Sequence, residues 1–244
     1  MYRLFIIVLL LPCISFGQTN ADKNLVAWYN FNGNSKDLSG HNNNPLVDHS
    51  TPAEDRHGKK DSARYFNGKT DFIQIKNNSS LNPEEITLLA IIKPMGFYKG
   101  TCHNNSIIEK GEWDYKPGNY AIRFTAGEYT HGDCYDSDTA HQNFVGMASN
   151  TPGKTSRDIY VVPGTWYHIV FTFNKEYCRL YIDGELITSF GSAGKLGKNK
   201  DDLFLGKKDN AQYPYWFKGV IDEVRIYNRS LLSDEVAALY EELK

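Results

Sequence analysis

The chain of 244 residues has no apolar run long enough to cross a bilayer, no basic excess and only four cysteines. Its longest apolar stretch, Leu4 to Leu11, falls well short of the roughly 20 residues a spanning helix needs, which argues against a retained anchor. With 27 Lys and Arg against 29 Asp and Glu, nothing basic is concentrated enough for a nucleic-acid partner. Long helical periodicity is missing until the last dozen residues, so a helical bundle is excluded.

What is present begins with "MYRLFIIVLLLPCISFGQ". Arg3, the apolar run, Pro12 and the small residues Ser15 and Gly17 read as a secretory signal over residues 1–17, cleaved after Gly17. A lipoprotein signal using Cys13 is the alternative, and Pro12 directly before the cysteine fits it poorly. The expected product, residues 18–244, is one domain that is secreted or held at the cell surface or in the periplasm, with no membrane insertion after cleavage. Three cysteines then remain in an oxidising compartment, where a pair is expected. Cys178 alternates with Leu180 and Ile182 and reads as a core thiol. Cys102 and Cys134 lie in polar segments flanking a hairpin, and the expected disulfide is Cys102–Cys134.

Short alternating runs, among them "LVAWYNF", "DFIQIK", "NYAIRFTA", "WYHIVFTFN" and "VIDEVRIYN", are separated by "FNGN", "KPGN", "VPGT" and "YIDGE", which supply the residues turns require. The pattern predicts an all-β fold, a two-sheet antiparallel jelly-roll sandwich. A short C-terminal helix follows in "SDEVAALYEEL", with Ser233 as N-cap, Asp234 and Glu235 in the first turn, and Val236, Leu239 and Tyr240 on one face. In "WYHIVFTF", Tyr167, Ile169, Phe171 and Phe173 should face the opposing sheet while Trp166, His168, Val170 and Thr172 face outward. The next strand should set Tyr177, Arg179 and Tyr181 on that outward face, a mixture of rings and polar groups suited to sugar.

"LVAWYNFNGNSKDLSGHNNN", "ARYFNGKTDFIQI", "ITLLAIIKP", "GTWYHIVFTFNKEYCRLYIDGELI" and "FKGVIDEVRIYNRSLLSDEVAALY" resemble, in order and spacing, the laminin-G-like jelly rolls of the concanavalin A-like lectin/glucanase superfamily. The resemblance implies two curved antiparallel sheets, a secreted carbohydrate-binding or adhesion module, and often one structural calcium. Glucanases of this fold hold that ion with an aspartate of the last strand and groups near the first. Carried over by that likeness, Asp222, Asn32, Gly33 and Asp37 become the metal candidates, with backbone carbonyls and water completing six to eight oxygens. The stretch from Glu112 to Arg157 resembles the family least and is where particular chemistry is expected.

No catalytic set emerges. Strict alternation puts Asp222 with Val224 and Ile226, and Glu223 with Arg225 and Tyr227, so these two carboxylates face apart. The Glu-x-Asp-x-Glu run of the glucanases is missing. A lyase-like trio of His168, Arg179 and Tyr181 remains, but a packed histidine is the commoner reading. "HGDCYDSDTAH" lacks the glycine and terminal glutamate of an EF-hand. Rings that could stack on sugar are Trp113, Tyr115, Tyr129 and Tyr135 in the divergent stretch, with Tyr213, Tyr215 and Trp216 as a second cluster. The expected function is non-catalytic carbohydrate binding through Trp113, Tyr115, Tyr129, Tyr135, His168, Arg179 and Tyr181, with a glycan or glycoprotein as partner. A protein-binding or structural adhesion module is the alternative, and a glycoside hydrolase or polysaccharide lyase the second.

Overall fold

The computed structural model describes residues 22–100, 104–112, 116–126, 142–149, 154–191 and 194–244. In chain order the strands are β1 (Leu25–Tyr29), β2 (Pro45–Asp48), β3 (Thr51–Ala53), β4 (Ala63–Asn67), β5 (Ile73–Ile75), β6 (Ile86–Gly96), β7 (Asn105–Lys110) and β8 (Tyr120–Ala126). They continue with β9 (Gln142–Ala148), β10 (Lys154–Tyr160), β11 (Tyr167–Phe173), β12 (Tyr177–Ile182), β13 (Glu185–Gly191), β14 (Leu203–Leu205) and β15 (Lys218–Tyr227), and the chain ends in helix α1 (Ser233–Leu243). The signal stretch, Cys102, Cys134, Trp113, Tyr115, Tyr129 and Tyr135 lie outside the described residues.

The strands form the two antiparallel sheets of a jelly roll. One runs β13-β12-β11-β6-β15-β4-β3, with β1 also on β15, and the other β10-β9-β8-β7-β14-β5-β2. Period-2 alternation accounts for the core between them. Tyr167, Ile169, Phe171 and Phe173 of β11 and Cys178, Leu180 and Ile182 of β12 all point into it, as the sequence pattern requires. They meet Ile122, Phe124 and Phe144 of the second sheet. Each such fully buried side chain stabilises the fold by about 1.5–3 kcal/mol.

A second, smaller core lies on the outward face of the first sheet. Helix α1 lays Val236, Leu239 and Leu243 on Leu89, Ile91, Val170 and Tyr181. An eleven-residue helix is marginal by itself and persists because it docks. Its start differs from expectation by one residue: Leu232 is the N-cap, and the Glu235 carboxylate accepts the Leu232 amide at 2.8 Å. Ser233 instead bonds the Tyr181 hydroxyl at 3.0 Å. The open sugar face expected around Tyr181 is therefore corrected: the ring is fully buried, because an apolar helix face needs that surface.

Strand β15 also departs from strict alternation. Ile221, Val224 and Ile226 all point into the inter-sheet core, and pairing with β6 slips between Ile221 and Glu223. Asp222 is the extra residue of a β-bulge. It turns outward with Glu223 rather than inward with Val224, which corrects the opposed orientation read from the sequence. The two still do not act together, since each carboxylate has its own cation. Asp222 Oδ2 meets Arg56 Nη1 at 2.6 Å. Glu223 Oε1 accepts Arg225 Nε at 2.7 Å and Trp28 Nε1 at 2.8 Å.

Candidate binding site

A cavity of about 250 Å³ opens where α1 meets the outward face of the first sheet. Its floor is Ile91 of β6 and His168 of β11, and Arg56, Trp166, Asp183 and Tyr240 rise around them, with Lys244 at the rim. Sequence decides this placement locally. The "YIDGE" segment makes the tight β12–β13 turn with Asp183 at φ 50° and Gly184 at φ 81°, values that suit Asp and Gly. The Asp183 carboxylate accepts the His168 amide at 2.8 Å, and the Asp183 amide returns a bond of 2.8 Å to the His168 carbonyl. Gly184 serves a further purpose. A Cβ there would sit 2.9 Å from the Tyr240 ring, so only glycine lets the helix close over this turn.

His168 is 4% exposed, and neither ring nitrogen has a hydrogen-bond partner. The Tyr240 ring lies against it at 5.6 Å between centroids. Burial, reinforced by the positive charges of Arg225 and Arg56, lowers its pKa to about 4 and keeps the imidazole neutral. Burial also raises the pKa of Asp183, against the bond from the His168 amide. Trp166, half-buried, carries Lys93 Nζ 4.9 Å from its ring centroid. A buried donor or acceptor without a partner costs on the order of 1–3 kcal/mol, so a hydroxyl that supplies one gains correspondingly. The cavity can offer hydrogen bonds and ring faces. It lines up one carboxylate, Asp183, where glycoside cleavage uses two across the bond.

Among the described residues picked from sequence as sugar contacts, only His168 lines this cavity. Tyr181 is sealed beneath α1, and Arg179, half-buried, lies over the Tyr177 ring at 4.9 Å, so the trio does not converge. Trp216 packs near Phe72 and Lys207, and Tyr215 is buried beside Tyr213. Arg56, Asp183, Tyr240 and Lys244 were not picked. The "YIDGE" turn and the helical period were visible, but nothing local says that a turn, a helix end and the 54–61 segment meet.

The donors proposed for calcium do not form a shell. Asp222 is taken up by Arg56, and Asn32 Oδ1 accepts Lys59 Nζ at 2.9 Å. Gly33 donates its amide to the Asp61 carbonyl. Both Asp37 oxygens are filled by the amides of Trp28, Ser39 and Asn43 and by the Ser39 hydroxyl. Two side-chain cations thus hold oxygens the ion would need, and among the described residues no three of His, Cys, Asp and Glu gather as a metal site.

No curated protein sequence matches the chain. The binding domain of Paraclostridial Mosquitocidal Protein 1 superposes with a TM-score of 0.68 at 21% identity, over 91% of this chain and 53% of that one. Domain 4 of AbnA, a GH43 extracellular arabinanase from Geobacillus stearothermophilus, gives 0.63 at 19% identity, over 89% of this chain and 98% of that one. A botulinum neurotoxin type C structure gives 0.61 at 12% identity, over 92% and 52%. The chain spans about half the length of the two toxin chains, and at these identities the likeness is one of fold. The Laminin_G_3 model, described as the concanavalin A-like lectin/glucanases superfamily, matches residues 66–237; the chain belongs to that family.

Proposed function

We propose that this protein is an exported, non-catalytic carbohydrate-binding module. The observation that carries the reading is the cavity under α1, where a buried, neutral and unpartnered imidazole lies against the Tyr240 ring, with Trp166 and the Asp183 carboxylate lining the same space. Sugars require that combination: ring faces for their C–H surfaces and convergent polar groups for their hydroxyls. Support also comes from proteins of the same fold. The arabinanase domain is in complex with arabinotriose, a botulinum neurotoxin DC binding domain is in complex with SialylT, and cell entry of neurotoxin type C depends on two ganglioside molecules. The divergent loops, with Trp113, Tyr115, Tyr129 and Tyr135, supply a second contact surface in this reading.

A glycan array probed with residues 18–244 tests it, with and without a chelator, beside Trp166→Ala and Trp113→Ala. Binding that weakens in Trp166→Ala supports the cavity, and weakening in Trp113→Ala adds the loops. Silence of the unmodified chain across the array rejects the carbohydrate reading and turns attention to a protein partner.

A further inference from the structure

Building on the carbohydrate reading, we propose that the cavity seats one uncharged sugar residue at the end of a glycan chain, and not an internal stretch or an acidic sugar. Size comes first. The cavity, about 250 Å³, falls below the range of roughly 300–1,000 Å³ that holds drug-sized ligands, so its scale is one ring with its hydroxyls. Its walls agree. The last turn of α1 brings Tyr240, Leu243 and Lys244, the 54–61 segment brings Arg56 and His57, and the β12–β13 turn brings Asp183. Three separate elements stand around a floor of strand residues, and a space of one-ring scale among them suits the last residue of a chain.

Charge pairing decides between neutral and acidic sugars. Arg56 is already joined to Asp222 at 2.6 Å, and Lys244 Nζ to Glu241 at 2.5 Å. A uronate or sialate seated at the floor would have to compete with Asp222 for Arg56 or bury its carboxylate beside Asp183, and either route carries a large desolvation cost; the exposed Lys244 pair at the rim contributes little. The groups with unused capacity are the two His168 nitrogens and Arg56 Nε. A neutral imidazole has one donor and one acceptor nitrogen, and a hydroxyl both donates and accepts. A hydroxyl brought against the ring can therefore meet either nitrogen, whereas a carboxylate can meet only the N–H.

Titration calorimetry on the full mature chain separates the alternatives. The probes are methyl glycosides of neutral hexoses and pentoses, the matching oligosaccharides of two to six residues, and the same chains capped with a uronic or sialic acid. The expected result is a methyl glycoside within a few-fold of its longer chains, with an acidic cap costing about tenfold or more. Trp166→Ala and the apolar, similarly sized His168→Phe should each lose about tenfold or more, with His168→Phe giving the answer if Trp166→Ala fails to fold. Affinity that climbs steadily with chain length, a preference for acidic caps, or indifference to His168→Phe overturns this inference and leaves the carbohydrate reading standing. Failure of every glycan on the array removes both.

Discussion

His168 couples the fold to acidity. Its folded pKa of about 4 lies below the ordinary histidine value of 6.5, so between those values the unfolded chain binds a proton that the native chain refuses. Stability is fully present above pH 6.5 and falls as the pH drops towards 4, by about 3 kcal/mol if the whole shift is realised. Urea titrations at pH 7 and pH 4.5 should show this loss in the native chain and a smaller one in His168→Phe. An equal loss in both would place the acid sensitivity elsewhere. Arg56 offers a second test at this scale. Arg56→Ala leaves the mostly buried Asp222 carboxylate without its cation and should cost about 3–5 kcal/mol, read as a fall in the urea midpoint. Since Arg56 and Lys59 already neutralise oxygens proposed for calcium, a chelator should leave the melting temperature unchanged.

At the level of elements, strand identity was legible and strand phase only partly so. The alternation of β11 and β12 sorted every inward residue correctly, because a sheet with one face on the core leaves no freedom of register. The bulge at Asp222 was not legible, since one inserted residue leaves no local sequence mark and inverts the phase before it. Strands β2 and β3, short and partly exposed, and β10, rich in polar residues, also escaped, as did β9, whose "QNFVGMA" is buried but does not alternate. Of the site, the sequence yielded one residue, His168, because the others converge only in three dimensions. Gly146 of β9 shows how close the two sheets come: a Cβ there would meet the Phe171 ring at 2.1 Å. Gly146→Val should destabilise the sandwich by about 1–3 kcal/mol or more through forced separation of the sheets, seen as a lower melting temperature.

Across the whole molecule, α1 makes the sandwich a three-layered object in which the outward face of one sheet is interior. Arg229 fastens its first turn with bonds of 2.7 and 2.6 Å to Glu235. A chain truncated after Ser230 would uncover Leu89, Ile91, Val170 and Tyr181, a patch that should bind a hydrophobic dye and promote aggregation. Dye binding and melting temperature unchanged from the full chain would show that the helix adds nothing to stability.

The position of β15 governs when the protein can fold at all. It lies beside β6, β4 and β1 at once, and its Glu223 accepts a bond from Trp28, 195 residues earlier. A chain emerging from the ribosome therefore lacks the middle of this sheet until β15 has been made, and contacts so distant in sequence form slowly. Until then the strands already made on either side, β6 and β4, have no neighbour to join them.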